Sequence, residues 1–162
     1  MRGLLLIGFV LASCARPRPA PPTADVPAPA PDRGPRTPLA AWFGSVDEDT
    51  GKLERRMKIP KVDGQMFGWR IKTRCTGPVR FREVMRMPSR GDWGFTAEET
   101  PGTTISDDQT TTTTVDYAAC KMGWVEHQWT VAEGDPAGTY VITVELDGYA
   151  TQTFRPKFVT GE

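Results

Sequence analysis

From residue 39 to the end of the chain, apolar residues recur at every second position in short runs, and glycine or proline breaks each run before it can grow. No stretch sustains the 3.6-residue period of an amphipathic helix, so the pattern predicts an all-β chain. Candidate strands cover 41–46, 53–59, 66–75, 79–87, 110–119, 122–132, 139–146 and 150–159. Eight antiparallel strands at this spacing suit a sandwich of two sheets. The clearest piece lies near the end, where Tyr140, Ile142, Val144 and Leu146 alternate with Thr139, Val141, Thr143 and Glu145. Asp147-Gly148 then supplies a two-residue hairpin turn, and the returning strand places Phe154 and Phe158 on one face.

Residues 15–38 cannot belong to such a core, because nine of them are proline (Pro17, Pro19, Pro21, Pro22, Pro27, Pro29, Pro31, Pro35 and Pro38) among alanines. This composition favours polyproline II, which rises ~3.1 Å per residue, so the disordered linker reaches roughly 75 Å when extended. It reads as a tether, with a proline-rich ligand for a partner domain as the competing reading.

Before it, Met1 and Arg2 precede the apolar run Leu4, Leu5, Leu6, Ile7, Phe9 and Val10. The order of a charged start and a short apolar centre is that of a secretory signal peptide, and the run falls short of the ~20 residues a spanning helix needs. Its end, Leu11-Ala12-Ser13-Cys14, resembles the lipobox of bacterial lipoproteins. The resemblance implies that the leader 1–13 is removed, that the Cys14 thiol carries a diacylglycerol and that the new amino terminus is acylated as well. Three chains hold far more firmly than one, at about 0.8 kcal/mol per buried CH₂. By analogy with enterobacterial sorting, Ala15 points to the outer membrane. The chain then divides into a signal peptide (1–13), a lipidated cysteine with its Pro/Ala-rich linker (14–38) and a β domain (39–162). With Cys14 acylated, Cys75 and Cys120 remain as an even pair in a compartment that permits disulfides. A bond between them closes a loop for which chain entropy gives ~4 kcal/mol.

Charge is balanced overall at 20 basic and 20 acidic residues, which gives no reason to expect nucleic acid as a partner. Its distribution is uneven. Residues 55–90 hold eleven cations against two acids, a local +9, and residues 91–162 hold three against twelve, a local −9. Period two places Arg70, Lys72 and Arg74 on one face of their strand and Arg80, Arg82 and Arg86 on one face of the next. With Thr76-Gly77-Pro78 as the turn, one hairpin is expected to show six cations on its outer side. Like charges opposite one another are destabilising. Either the acidic strands of the second half answer them within the molecule, or the face docks on envelope anions, polysaccharide or an acidic protein. Glu83 breaks the pattern, since it shares the parity of Phe81 and Met85, and signals a bulge or a wrong register.

Trp42, Trp69, Trp124 and Trp129 fall in strands, where core is their ordinary place. Trp93, in Gly91-Asp92-Trp93-Gly94-Phe95, either folds over one end of the sandwich or stacks on a sugar ring. His127 is the only histidine, and no serine, cysteine or carboxylate pair is arranged around it, so no catalytic residue is assigned and the chain is not read as an enzyme. Asp47-Glu48-Asp49-Thr50-Gly51 lacks the spacing of a calcium loop and reads as a turn, as do Asp107 and Asp108. No metal or other cofactor is expected.

The run from Trp129 to Phe158, with its Asp135-Pro136-Ala137-Gly138-Thr139-Tyr140 turn and Asp147-Gly148, resembles the closing strands of bacterial immunoglobulin-like or fibronectin-like sandwich domains. That resemblance implies adhesion, assembly or display. The expectation is a lipid-anchored outer-membrane module whose β-sandwich contacts another envelope protein through its charged hairpin or an exposed sheet edge. Two alternatives stand beside it: a glycan-binding or anionic-surface-binding module using Trp93 and the basic face, and an accessory lipoprotein of a secretion machine, whose small sandwich-bearing members share this plan. Cys14→Ser is predicted to move the protein from the membrane pellet to the soluble fraction in a fractionation experiment. Unchanged attachment would remove the anchor from the scheme.

Overall fold

The computed structural model describes residues 34–93 and 100–160; the leader 1–13, Cys14, residues 15–33 of the tether, and Gly94 and Phe95 lie outside them. The described strands are β1 (Ala40–Val46), β2 (Leu53–Arg55), β3 (Lys58–Pro60), β4 (Met66–Lys72), β5 (Val79–Arg86), β6 (Thr103–Ile105), β7 (Thr111–Ala118), β8 (Trp124–Thr130), β9 (Gly138–Thr139), β10 (Val141–Leu146), β11 (Gln152–Phe154) and β12 (Lys157–Val159). They form a four-stranded sheet in the order β2-β1-β4-β8, a five-stranded sheet β11-β10-β5-β7-β6 and a small sheet β3-β12-β9. All pairings in the two larger sheets are antiparallel, and β3 and β12 run parallel.

The expected strands are present, with breaks; the 53–59 run divides at Arg56-Met57, where the Arg56 N–H still bonds the Phe43 carbonyl of β1 but Met57 already accepts from Lys157 of β12, so β2 and β3 serve different sheets. The 150–159 run is interrupted at Arg155-Pro156, because proline has no N–H for a ladder. The 139–146 run breaks at Tyr140, whose N–H bonds the Pro156 carbonyl at 2.9 Å. Strand β8 starts two residues later than expected because Met122 and Gly123, with φ of 52° and 78°, form a tight turn instead. In it Lys121 and Trp124 exchange both backbone hydrogen bonds at 2.9 Å. Sequence reasoning passed over β6, whose three residues are too few to show a period.

The core lies between the two larger sheets. Phe43, Phe67, Trp69, Ile71 and Val125 face Phe81, Met85, Ile142, Val144, Leu146 and Phe154, all of them buried. Ring contacts cross the gap, Trp69 to Phe81 at 5.5 Å and Phe43 to Phe154 at 5.8 Å. The small sheet closes one end through Phe158, which meets Phe67 at 4.8 Å and Tyr140 at 4.1 Å. Tyr140 also donates its hydroxyl to the Pro136 carbonyl at 2.9 Å, and burial holds that phenol well above its usual pKa. A tyrosine bonding back to the turn just upstream of its strand is a hallmark of immunoglobulin-type sandwiches.

The expected hairpin of residues 66–87 is not formed. Strands β4 and β5 belong to different sheets, so the segment between them crosses from one layer to the other. The six cations therefore do not share a face: inward-facing Trp69 and Phe81 meet across the core, and the alternate residues of each strand point away from one another. The segment between β7 and β8 makes the reverse crossing, and Cys75 and Cys120 join the two crossings in a disulfide, Cα to Cα 6.0 Å. The chain also enters the fold earlier than Leu39. Arg36 donates its N–H to Gly148 at 3.0 Å and accepts from Ala150 at 2.8 Å, so the last residues of the proline-rich segment are stitched to the turn between β10 and β11.

Glu83 marks neither a bulge nor a slipped register. The ladder runs unbroken through it, Glu83 opposite Thr114 on one side and Val144 on the other. The carboxylate sits in the core at 1% exposure. It accepts hydrogen bonds from the indole N–H of Trp69 and, at 2.5 Å, from that of Trp129, and lies 3.3 Å from Nδ1 of His127. Burial of a charge is tolerated only when its lone pairs are answered, and here the answering groups all come from the opposite sheet. Glu83→Ala is predicted to cost about 3 kcal/mol or more, since each stranded buried donor costs about 1–3 kcal/mol. Glu83→Gln, which keeps one acceptor, should cost less. Urea midpoints measure both, and an unchanged midpoint in the alanine variant would remove the rivet from the account.

Candidate binding surface

Arg70 and Lys72 stand on the outer face of the β2-β1-β4-β8 sheet, Arg80, Arg82 and Arg86 on the outer face of the five-stranded sheet, and Arg74 in the crossing between them. Register supplies several of them with partners. Arg70 lies opposite Glu126 and Arg82 opposite Glu145, at 3.3 and 3.6 Å, and Arg80 approaches Asp147 at 3.7 Å. The acidic second half of the chain thus answers three of the eleven cations of residues 55–90 across neighbouring strands, at no more than ~1 kcal/mol per exposed pair.

One part of the basic surface is different in kind. Trp42 on β1 lies opposite Arg70 on β4, and Trp124 on β8 lies opposite Lys72. Their outward side chains meet, with the two indoles 4.9 Å apart and the Arg70 guanidinium 5.8 Å from Trp42 and 4.7 Å from Trp124. The Lys72 ammonium sits 5.1 Å from the Trp124 ring and donates to the Met122 carbonyl at 2.6 Å. Cation-aromatic contacts of this type are worth ~0.5–1 kcal/mol at exposed sites and more when desolvated. Among the described residues the Trp42 indole N–H has no hydrogen-bond partner, and the Arg70 Nε, though within ion-pair distance of Glu126, is not aligned to donate to it. The indoles of Trp42 and Trp124 are thus on the outside of the sheet, contrary to their expected core position. Parity held the signal: Phe43 and Val125, each one residue on, are the buried members of their strands.

Of the remaining tryptophans, Trp69 is core and Trp129 bonds Glu83. Trp93 packs against the core and donates its indole N–H to the Gln109 carbonyl at 3.2 Å, as expected of a residue folded over the end of the sandwich. It borders a cleft of ≈ 390 Å³ with Met85, Met87, Trp129 and Asp135. His127 is half-buried at the core edge, its ring 4.9 Å from that of Phe81. Asp47 closes the turn after β1, accepting from the Thr50 hydroxyl at 2.7 Å and its N–H at 2.8 Å, and these bonds hold its carboxyl below the usual range. Asp108 does the same for Ser106 and Thr110 between β6 and β7.

Asp135 is the exception among the carboxylates. Burial raises its pKa, although one oxygen accepts the Ala132 N–H at 2.9 Å, and its other oxygen has no partner among the described residues. A carboxyl raised in the folded state binds more protons folded than unfolded, so it contributes stability at low pH that is lost as pH rises through its folded pKa. Asp135→Asn is predicted to flatten the decline in stability above the ordinary carboxylate range. Parallel stability curves for variant and parent in urea titrations across that window would refute the assignment.

The model of the PM0630 beta sandwich domain matches residues 41–158. Among solved structures, the immunoglobulin-like protein PA1606 from Pseudomonas aeruginosa is similar at 16% identity over 76% of this chain and 95% of its own, with a TM-score of 0.45. No curated protein matches the sequence significantly.

Proposed function

For a chain that belongs to the PM0630 beta sandwich domain family, we propose the role of a tethered binding module: a lipid-anchored, non-catalytic sandwich that contacts another envelope protein through the outer face of its four-stranded sheet. One observation carries this reading, the outward row Trp42–Arg70–Trp124, in which two indoles bracket a guanidinium on the face of the sheet. Tryptophan and arginine dominate the energetics of protein interfaces, because they offer large rigid area together with directed donors. The lipobox and the proline-rich segment add reach, letting the domain meet its partner away from the membrane that holds it. Glycan binding through Trp93 has less support, since that indole N–H is already given to Gln109.

Cross-linking of the full chain in envelopes, followed by identification of the attached chains, is predicted to capture a protein. Arg70→Ala and Trp124→Ala should each weaken that capture at least tenfold, the range of an interface hot spot at ~1.4 kcal/mol per decade. Capture that survives both substitutions, or retention on purified peptidoglycan instead, would overturn the reading.

A further inference from the structure

The sheet edges of this domain are unequal. Among the described residues the edge strands β2, β3, β6 and β11 are three residues long and β9 is two, whereas β8 presents seven residues at the edge of its sheet. Short edges are one of the ways a sandwich avoids recruiting further strands. Strand β8 contains no proline and no lysine, and its one carboxylate, Glu126, is engaged by Arg70.

Its backbone groups can be assigned by alternation. Trp124 exchanges both of its hydrogen bonds with Lys121, on the side away from β4, and the Gly123 carbonyl and the Val131 N–H bond Thr73 and Gln65 on the β4 side. Odd-numbered residues of β8 therefore serve the ladder to β4, and Glu126, Gln128 and Thr130 direct their N–H and C=O groups outward. A groove of ≈ 320 Å³ runs here, bordered by Ala119, Lys121, Glu126, His127 and Gln128.

Resting on the binding role above, we propose that β8 is where the partner is gripped, by addition of an extended, acidic segment of the partner as a fifth strand antiparallel to β8. The direction follows from Lys121, which already pairs antiparallel with Trp124 and begins the ladder that the new strand continues. The charge follows from the rim, where Arg70, Lys72 and Lys121 stand against Glu126, itself engaged by Arg70. A second copy of this chain would bring the same excess of cations. Main-chain bonds supply affinity in strand addition and the flanking side chains supply specificity, so the Trp42–Arg70–Trp124 row becomes the platform beside which the new strand's outward side chains lie.

The test uses the full chain in mild detergent and a short synthetic peptide of alternating valine and threonine carrying glutamates. In the free protein the amides of Glu126 and Gln128 should exchange hydrogen rapidly while those of Val125 and His127 are protected. The peptide should slow Glu126 and Gln128 at least about tenfold. The same peptide with alternate amides N-methylated, or with lysine in place of glutamate, should not. Gln128→Pro removes an outward N–H and leaves the ladder to β4 intact, and it should abolish the effect. Protection of Glu126 and Gln128 before peptide is added, equal binding of the N-methylated peptide, or a dimer in sedimentation that Gln128→Pro dissolves would each overturn strand addition. In the envelope cross-linking, capture lost in Arg70→Ala and Trp124→Ala but kept in Gln128→Pro overturns strand addition alone, and capture kept in all three overturns the binding face as well.

Discussion

Two chain crossings set the geometry of this domain. Within a few residues the backbone leaves β4 in one sheet and enters β5 in the other, and the segment between β7 and β8 returns beside it, the two tied by Cys75–Cys120. Because β4 pairs with β8 and β5 with β7, the crossings bring both central pairs into register face to face. The aromatic core follows from that facing, and so does the outward direction of every alternate residue. A turn in place of the first crossing would have put all of these strands in one layer, with no interior for Trp69 and Phe81 to share.

Within that interior the buried Glu83 does what an apolar side chain could not. A hydrophobic residue there would pack against the opposite sheet in many ways, whereas a carboxylate bonded to two indoles and beside an imidazole fixes the lateral position of one sheet on the other. Two of these groups, His127 and Trp129, lie along the inner side of β8, which among the described residues is the edge of its sheet. The polar network thus ties β8 to the opposite sheet.

The charge asymmetry of the sequence is answered inside the molecule only in part. Arg70, Arg80 and Arg82 meet Glu126, Asp147 and Glu145, and what remains distinctive is the pair of indoles that brackets Arg70. Long arginine stems laid on aromatic faces bury apolar surface while leaving the charged head at the surface. The result is a face of mixed apolar and charged character.

Local pattern alone determined the all-β class, most of the strands, the Asp147-Gly148 turn and the pairing of Cys75 with Cys120. These depend on periods of two residues, on turn chemistry and on the parity of cysteines, each readable over a few neighbouring positions. Which strands share a sheet was decided only in three dimensions, because a crossing and a hairpin use the same glycine and proline between the same alternating runs. That single choice separated the six cations. It also made Glu83 a core residue rather than a fault and left β8 at an edge; each depends on what stands across the gap or beside the strand, and such neighbours lie tens of residues away along the chain.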